Sequence, residues 1–221
     1  MADTTEEPAW ALGLGRIAGL SDAVFAFALT LLVIEIAVPV IPSSRAAADL
    51  PQKLLDLAPK WSSYVIGFTV IALYWAAHHR VFTFIRRYDN VLITLNFALL
   101  FTIAVQPFTT GLVGEYGNTT LAVSLYALLL GLTGLILFGI WAYATGGHRL
   151  VDRHIDQRLV RHHSVRALVI SGVFLVSIAV AFVRPLATPV FWVVVSAAAF
   201  WITNRIYGRR SHPTPRRRGR D

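Results

Sequence analysis

The chain has 221 residues, of which 56% are hydrophobic and only 14% charged, and its mean hydropathy is +0.60. Soluble domains average about 25% charged residues, so this composition excludes an ordinary water-soluble fold and predicts an integral membrane protein. The chain contains no Cys, which excludes thiolate metal sites and cysteine nucleophiles. Its formal net charge of +8 comes from basic residues placed between apolar runs, a pattern that favours membrane lipids with anionic headgroups as partners and disfavours nucleic acid.

Six apolar stretches are each long enough to cross the roughly 30 Å of hydrocarbon in a bilayer. The segments between them are rich in Pro, Gly or charge, as connections outside lipid must be. We therefore predict an all-α membrane protein with one six-helix transmembrane domain over 1–208 and a disordered Arg-rich cytoplasmic tail over 209–221. The six stretches cover residues 15–38, 59–79, 91–113, 119–145, 165–183 and 186–207.

The distribution of basic residues predicts the orientation of this multi-pass protein. With six spans, sixteen of the twenty Lys and Arg residues fall on the side that carries both termini. Positively charged loops remain in the cytoplasm, so we expect both the N- and C-termini there. An odd number of spans would remove most of this asymmetry.

The first span, RIAGLSDAVFAFALTLLVIEIAVP over residues 16–39, carries an unusual charge. Asp22 lies inside an otherwise apolar helix, where burying a charge costs at least about 2.5–3.5 kcal/mol. Such an acid should face the bundle interior and have a partner. The candidates for that partner are Arg16 and Ser21 on the same helix, His78 and His79 on the second span, and Asn96 on the third.

Helical geometry separates two faces of this span. At about 100° per residue, Leu31, Ile34 and Val38 lie within about 40° of Phe27, whereas Asp22 lies about 140° away. The aliphatic stripe could line a pore while the Asp22 side contacts neighbouring spans, or both faces could be ordinary helix packing.

The segment Arg16-x-x-x-Leu20-Ser21-Asp22, followed by Thr30-Leu31-Leu32, resembles the Arg-x-x-x-Phe-Ser-Asp signature of the lysosomal potassium channel family, transmembrane protein 175, and its prokaryotic relatives. Leu20 stands where the family usually has Phe. Further similarity lies in the second and third spans, in YWAAHHRVF at 74–82, LNFALL at 95–100 and PFTTGLVGEY at 107–116.

The resemblance implies a homotetramer in the bacterial plasma membrane that conducts K⁺ and other monovalent cations. In that family the pore is lined by four copies of the first helix and narrowed by hydrophobic side chains. Carried over, this places Phe27 at the narrowest layer, with Leu31 and Ile34 above it and Thr30 beside them. The sequence has no T-V-G-Y-G-like carbonyl filter, which agrees with such a constriction.

The resemblance also implies a supporting polar network. Arg16, Ser21 and Asp22 would hold the first helix to the second and third spans through Asn96 and one His of the His78/His79 pair. A satisfied polar network inside a membrane fixes helix rotation, which apolar contacts specify poorly. An ordinary bundle without a pore would need the same supports.

Other polar residues give weaker indications. Glu35 could form an outer ring of carboxylates that concentrates cations, or lie in interfacial water. His78 and His79 are about 100° apart on a helix and make poor joint metal ligands, so we predict no metal and no cofactor other than permeant K⁺. The acids and histidines of 148–156 fit a solvated loop better than a metal site.

Three functions remain open at this point. No catalytic motif occurs, so we predict that the protein is not an enzyme. A potassium-permeable channel is the first hypothesis. A proton-coupled or other secondary transporter that uses Asp22 and a His is the second, and a purely structural membrane protein is the third.

Overall fold

In the computed structural model, the described part of the chain comprises residues 9–185, 188, 191 and 192. Within it the only β-structure is an isolated antiparallel bridge between Ile85 and Val151, so the predicted all-α class is confirmed. The described helices, in chain order, are α1 (Ala9–Leu31), α2 (Ala46–Asp56), α3 (Ala58–Phe82), α4 (Asn90–Tyr116), α5 (Thr120–Thr145) and α6 (Gln157–Val183).

Among the described residues, five helical segments are long and apolar enough to cross a membrane, and they correspond to the first five predicted stretches. The predicted sixth span, 186–207, is described only at Thr188 and at 191–192, and the predicted tail, 209–221, lies outside the described residues. The multi-pass membrane character is therefore confirmed, while the sixth span and the orientation remain predictions. The five segments are Leu12–Glu35, Ala58–Phe82, Asn90–Tyr116, Thr120–His148 and Gln157–Val183.

Polar residues in the predicted breaks cap the helices that follow. The Asp89 carboxylate accepts a hydrogen bond of 2.9 Å from the Leu92 amide at the start of α4. Thr119 and Asp156 cap α5 and α6 in the same way. These side chains accept hydrogen bonds from amide groups that have no partner inside the helix. The polar residues of each connection therefore also stabilise the start of the helix that follows it.

The connection between the first two spans differs from expectation. The apolar stretch predicts a first span that reaches residue 38, but α1 ends at Leu31 and continues only as a 3₁₀ turn over Leu32–Glu35, so Val38 does not extend the helical stripe. The segment expected to be a plain connection contains α2, none of whose residues is buried. Its Leu50 and Leu54 are spaced i, i+4 and share a face, a pattern that hydropathy over a long window does not reveal.

Helix α4 occupies the centre of the bundle, where it contacts α1, α3 and α5, and α6 packs against α5. Helix α1 turns only one side toward this core. That side consists of Ser21, Phe25, Ala28 and Leu32, whose spacing of four, three and four residues forms one helical face. The opposite side of α1 is left exposed, and it carries the predicted stripe.

The loop between α3 and α4 is joined to the loop between α5 and α6. The Arg86 amide donates a hydrogen bond of 2.7 Å to the Leu150 carbonyl, beside the Ile85–Val151 bridge. The Tyr143 hydroxyl donates to the Asp89 carboxylate at 2.7 Å. The Leu92 amide lowers the pKa of Asp89 below its usual value, and Tyr143 acts in the same direction, so this carboxylate stays charged in the joined loops.

Close contact between α5 and α6 depends on small residues. A Cβ atom at Gly134 would collide with the Ser171 hydroxyl and lie 3.3 Å from the Ser171 Cβ. The Ser171 hydroxyl cannot turn away without losing its 2.8 Å hydrogen bond to the Ala167 carbonyl. On the same helix, a Cβ atom at Gly139 would have no neighbouring atom within 4 Å. A side chain is therefore excluded at Gly134 by the neighbouring helix, whereas there is room for one at Gly139.

We expect Gly134→Ala to lower the free energy of unfolding by about 1–3 kcal/mol, because the added methyl group overpacks the α5–α6 contact. Gly139→Ala is the matched control and should be neutral or stabilise by up to about 1 kcal/mol, since Ala has the higher helix propensity. Unfolding by sodium dodecyl sulfate in mixed micelles measures both. Equal effects of the two changes would contradict the proposed packing.

Candidate functional site

The core-facing side of α1 is held by a chain of buried hydrogen bonds. The Asn96 amide nitrogen donates to the Ser21 hydroxyl at 2.9 Å, and the Ser21 hydroxyl donates to the Ile17 carbonyl at 2.9 Å. The Asn96 amide oxygen lies 3.0 Å from His78 Nε2. A carbonyl oxygen only accepts hydrogen bonds, so the imidazole carries a proton on Nε2. Ser21, His78 and Asn96 are 0%, 1% and 2% exposed, and they join α1, α3 and α4.

Aromatic rings surround the histidine of this network. The His78 ring stacks on Phe82 with centroids 4.2 Å apart and contacts Phe25 at 5.6 Å. Helix periodicity places Phe82 one turn after His78 and Phe25 one turn after Ser21. The hydrogen bonds are therefore closed off by apolar rings, and exchange with water is hindered.

Asp22 does not join this network. Its carboxylate accepts a hydrogen bond of 2.8 Å from the Trp75 indole nitrogen, and both side chains are exposed in the single chain. The His79 ring stacks on that of Trp75, with the ring centroids 5.5 Å apart. Within the described residues, no hydrogen bond or ion pair connects Asp22 to Arg16, which is exposed one and a half turns earlier.

Trp75 is absent from the predicted partners of Asp22. A signal for it exists in the sequence, because an indole N–H is a donor without acceptor capacity and Trp75 lies one turn before both histidines on α3. Charged and amide side chains are the usual companions of a membrane carboxylate, and the sequence offers several of them close by. The structure therefore has two separate sets of hydrogen bonds where the sequence predicts one network. Ser21, Asn96 and His78 form a buried set, and Asp22 and Trp75 form an exposed pair beside it.

The predicted pore-lining residues lie on the outward side of α1 and of the 3₁₀ turn that follows it. Phe27 is 65% exposed and Ile34 70%, Thr30 is also exposed, and Leu31 is half-buried. The Thr30 hydroxyl donates to the Phe27 carbonyl at 2.8 Å, so it is satisfied within the helix. Residues i and i+3 of a 3₁₀ turn are eclipsed, which brings Ile34 nearly into line with Leu31.

Glu35 ends the 3₁₀ turn and packs its side chain on α4. A Cβ atom at Gly111 would collide with the Glu35 carboxylate, so the absence of a side chain there makes room for it. Lys60 lines the same small pocket and forms a 2.7 Å ion pair with Glu115. The Glu35 carboxylate therefore lies against α4 in the single chain, at the end of α1 opposite to Arg16.

Together these contacts define a membrane helix bundle in which hydrogen bonds fix the rotation of the first helix. An apolar stripe on that helix is left exposed. Among the described residues, no group of three His, Cys, Asp or Glu side chains could hold a metal ion. The outward side of α1 presents an apolar surface, and hydrogen bonds on the opposite side hold it in position.

Comparison with known proteins assigns the chain to a family. The family model for the endosomal/lysosomal potassium channel TMEM175 matches residues 16–107, a range that contains both polar ties of α1. A potassium channel from Streptomyces collinus is 30% identical over 207 residues, covering 92% of this chain and 95% of that protein. A potassium channel from Chamaesiphon minutus is 32% identical over 172 residues, covering 76% and 84%.

A solved structure agrees with these relatives. The crystal structure of a lysosomal potassium-selective channel TMEM175 homologue from Chamaesiphon minutus matches with a TM-score of 0.74 and 28% identity, covering 87% of this chain and 98% of that chain. The chain belongs to the TMEM175 potassium channel family. The family consists of ion channels, which confirms that this protein is not an enzyme.

We expect Asn96→Leu to destabilise the protein by about 1–2 kcal/mol, because it leaves the buried His78 without its acceptor. Thr94→Val is the matched control, since Thr94 is exposed on the same helix and bonds only to the Asn90 carbonyl. Unfolding titrations in mixed micelles measure both. A harmless Asn96→Leu would show that packing alone holds α1.

The Asp22–Trp75 tie is tested by a double-mutant cycle of Asp22→Ala and Trp75→Phe. The hydrogen bond predicts a coupling of about 1 kcal/mol between the two changes in the free energy of unfolding. Trp61→Phe, another exposed tryptophan on α3, serves as the control and should not couple with Asp22→Ala. Strictly additive effects of the first pair would rule out the tie.

Proposed function

We propose that this protein is a homotetrameric, potassium-permeable cation channel of the bacterial plasma membrane. Four copies of α1 line its pore, and Phe27, Leu31 and Ile34 form a hydrophobic constriction with Thr30 beside them. The relatives named as potassium channels cover 92% and 76% of the chain, which supports the ion and the channel mechanism. The observation that carries the assignment of the lining is the exposed stripe on α1.

Two properties of α1 support a lining role over simple contact with lipid. Its core-facing side is fixed by Ser21 through Asn96, so the outward stripe has one defined direction. Small residues, among them Gly19 and Ala23, alternate with the large ones on the exposed side, which allows helices to approach closely around an axis. The second property distinguishes a lining helix from one that only faces lipid, whereas the first would also serve a bundle without a pore.

A hydrophobic constriction selects ions by the cost of removing water. Phe27, Leu31 and Ile34 offer no oxygen ligands, so an ion that passes them gives up part of its hydration without replacement. Partial dehydration costs less for the large K⁺ ion than for Na⁺. The resulting preference for K⁺ is a consequence of ion size, and it would be modest because no coordination site adds to it.

Glu35 has two roles consistent with its place at the end of the lining helix. It could turn toward the axis and form a ring of four carboxylates, or keep its contact with Gly111 and anchor the end of α1 on α4. The contact in the single chain favours the anchor. Arg16, at the opposite end of α1, would lie at the cytoplasmic entrance.

The rival hypothesis of a proton-coupled transporter gains no support from the contacts of Asp22. Its carboxylate binds an indole N–H, which does not exchange protons in transport, and His78 binds Asn96. A relay from Asp22 to His78 would require a rearrangement of both ties.

The deciding experiment is ion flux into liposomes that contain the purified protein, under K⁺ or Na⁺ gradients with no coupling ion. Passive flux that is faster for K⁺ would support the channel. Flux that appears only with an imposed proton gradient would overturn it in favour of the transporter, and no flux under any gradient would favour a structural role.

In the same assay, Phe27→Ala should raise the conductance several-fold and weaken discrimination of K⁺ over Na⁺, because a wider constriction lets ions keep more water. Phe182→Ala is the matched control: Phe182 is similarly exposed but lies on α6, which packs against α5. Unchanged permeation in planar bilayer recordings of Phe27→Ala would remove this residue from the pore.

A further inference from the structure

The connection between α1 and α3 contains an amphipathic helix whose apolar side is uncovered. None of the residues of α2 is buried. At about 100° per residue, Leu50, Leu54 and Leu57, which directly follows the helix, lie within about 60° of one another. Leu50 is 43% exposed and Leu54 49%, so the bundle does not cover this side. A helix surrounded by water on all sides would not be expected to carry a leucine face.

The opposite side of this helix is polar and has no net charge. The Arg45 guanidinium, at the start of α2, forms a 3.1 Å ion pair with the Asp49 carboxylate. The Gln52 amide donates a hydrogen bond of 3.1 Å to the Asp56 carboxylate. Together with Lys53, this side carries two basic and two acidic groups. It therefore suits contact with water, and it offers no excess charge to attract an acidic or a basic partner.

Aromatic side chains mark the membrane surface at this end of the bundle. Trp61, near the start of α3, is 47% exposed. The Lys60–Glu115 ion pair joins the start of α3 to the end of α4, so the exposed ring of Tyr116 lies at a similar level. Exposed Trp and Tyr rings are typical of the boundary between acyl chains and headgroups. Because α2 ends at Asp56, five residues before Trp61, that end of the helix lies close to this boundary.

The segment that leads from α1 to α2 is apolar as well. It has the sequence IAVPVIP over residues 36–42, and its Val38 and Val40 are 86% and 98% exposed. Exposed apolar residues that lie close together mark a contact surface more often than a solvated loop. Both this segment and α2 are joined covalently to spans that hold them at the bilayer, so even a weak affinity for lipid is sufficient to keep them there.

We propose that α2 is an interfacial helix that lies on the leaflet at the Glu35 end of the bundle. Leu50, Leu54 and Leu57 enter the boundary between headgroups and acyl chains, and the side with Gln52 faces water. The partner is the lipid surface itself, independent of headgroup charge, because the polar side of α2 is neutral. Held in this way, α2 fixes the depth at which α3 begins in the membrane.

The test uses spin labels on single introduced cysteines, since the chain has no Cys of its own. Leu54→Cys places a label on the apolar side, and Gln52→Cys, about 160° away, is the matched control on the polar side. Both positions are exposed, so neither label disturbs a buried contact. The full-length protein is reconstituted into phosphatidylcholine liposomes. Electron paramagnetic resonance then measures the collisions of each label with oxygen, which concentrates in acyl chains, and with nickel ethylenediaminediacetate, which stays in water.

The ratio of oxygen to nickel collisions should be about tenfold higher at position 54 than at position 52. Leu50→Cys gives the same readout if Leu54→Cys does not fold. Equal ratios at the two positions would overturn the proposal, because α2 would then lie in water. A label at position 54 that is shielded from both reagents would also overturn it and would assign the leucine face to a second copy of the chain.

Lipid charge provides a second criterion. Adding phosphatidylglycerol to the liposomes should leave the contrast between positions 52 and 54 unchanged, because the polar side of α2 has no net charge. A contrast that appears only with phosphatidylglycerol would overturn the proposed apolar contact in favour of attraction between charges. No ion flux is measured, so the result is independent of the proposed channel function.

Discussion

The structure depends on the hydrogen bonds that Asn96 makes with Ser21 and His78 at the contact of α1, α3 and α4. Helices in lipid gain little from apolar burial against each other, because lipid tails are as apolar as a leucine side chain. An apolar helix can therefore rotate at small cost. A buried amide whose donor and acceptor are both used removes that freedom, since rotation of α1 would leave polar groups unpaired in a medium without water.

The fixed rotation gives α1 two distinct sides. Ser21, Phe25, Ala28 and Leu32 face the core, and the stripe with Phe27 and Ile34 faces away from it. The shift from α-helix to 3₁₀ turn after Leu31 adds to this division, because it aligns Ile34 with Leu31. In the channel that we propose, selectivity would follow from this side chain geometry and from ion hydration, without carbonyl ligands.

The two ends of the bundle are built differently. At one end Glu35 packs on Gly111, and Lys60 forms an ion pair with Glu115. At the other end the joined loops place Phe84 and Trp141 against the His163 ring of α6.

The sequence by itself determined the all-α membrane class, the first five spans and the family signature at Arg16–Asp22, and it offered Ser21, Asn96 and the His78/His79 pair among the candidates for the inner network. The spans follow from local composition, since about twenty consecutive apolar residues need no knowledge of their neighbours to be read as a span. The tertiary structure alone decided that Asp22 bonds to Trp75, that Glu35 packs on Gly111, and that Phe84 contacts His163. Each of these contacts joins residues far apart in the chain, and such contacts are set by helix rotation and depth, which hydropathy does not encode.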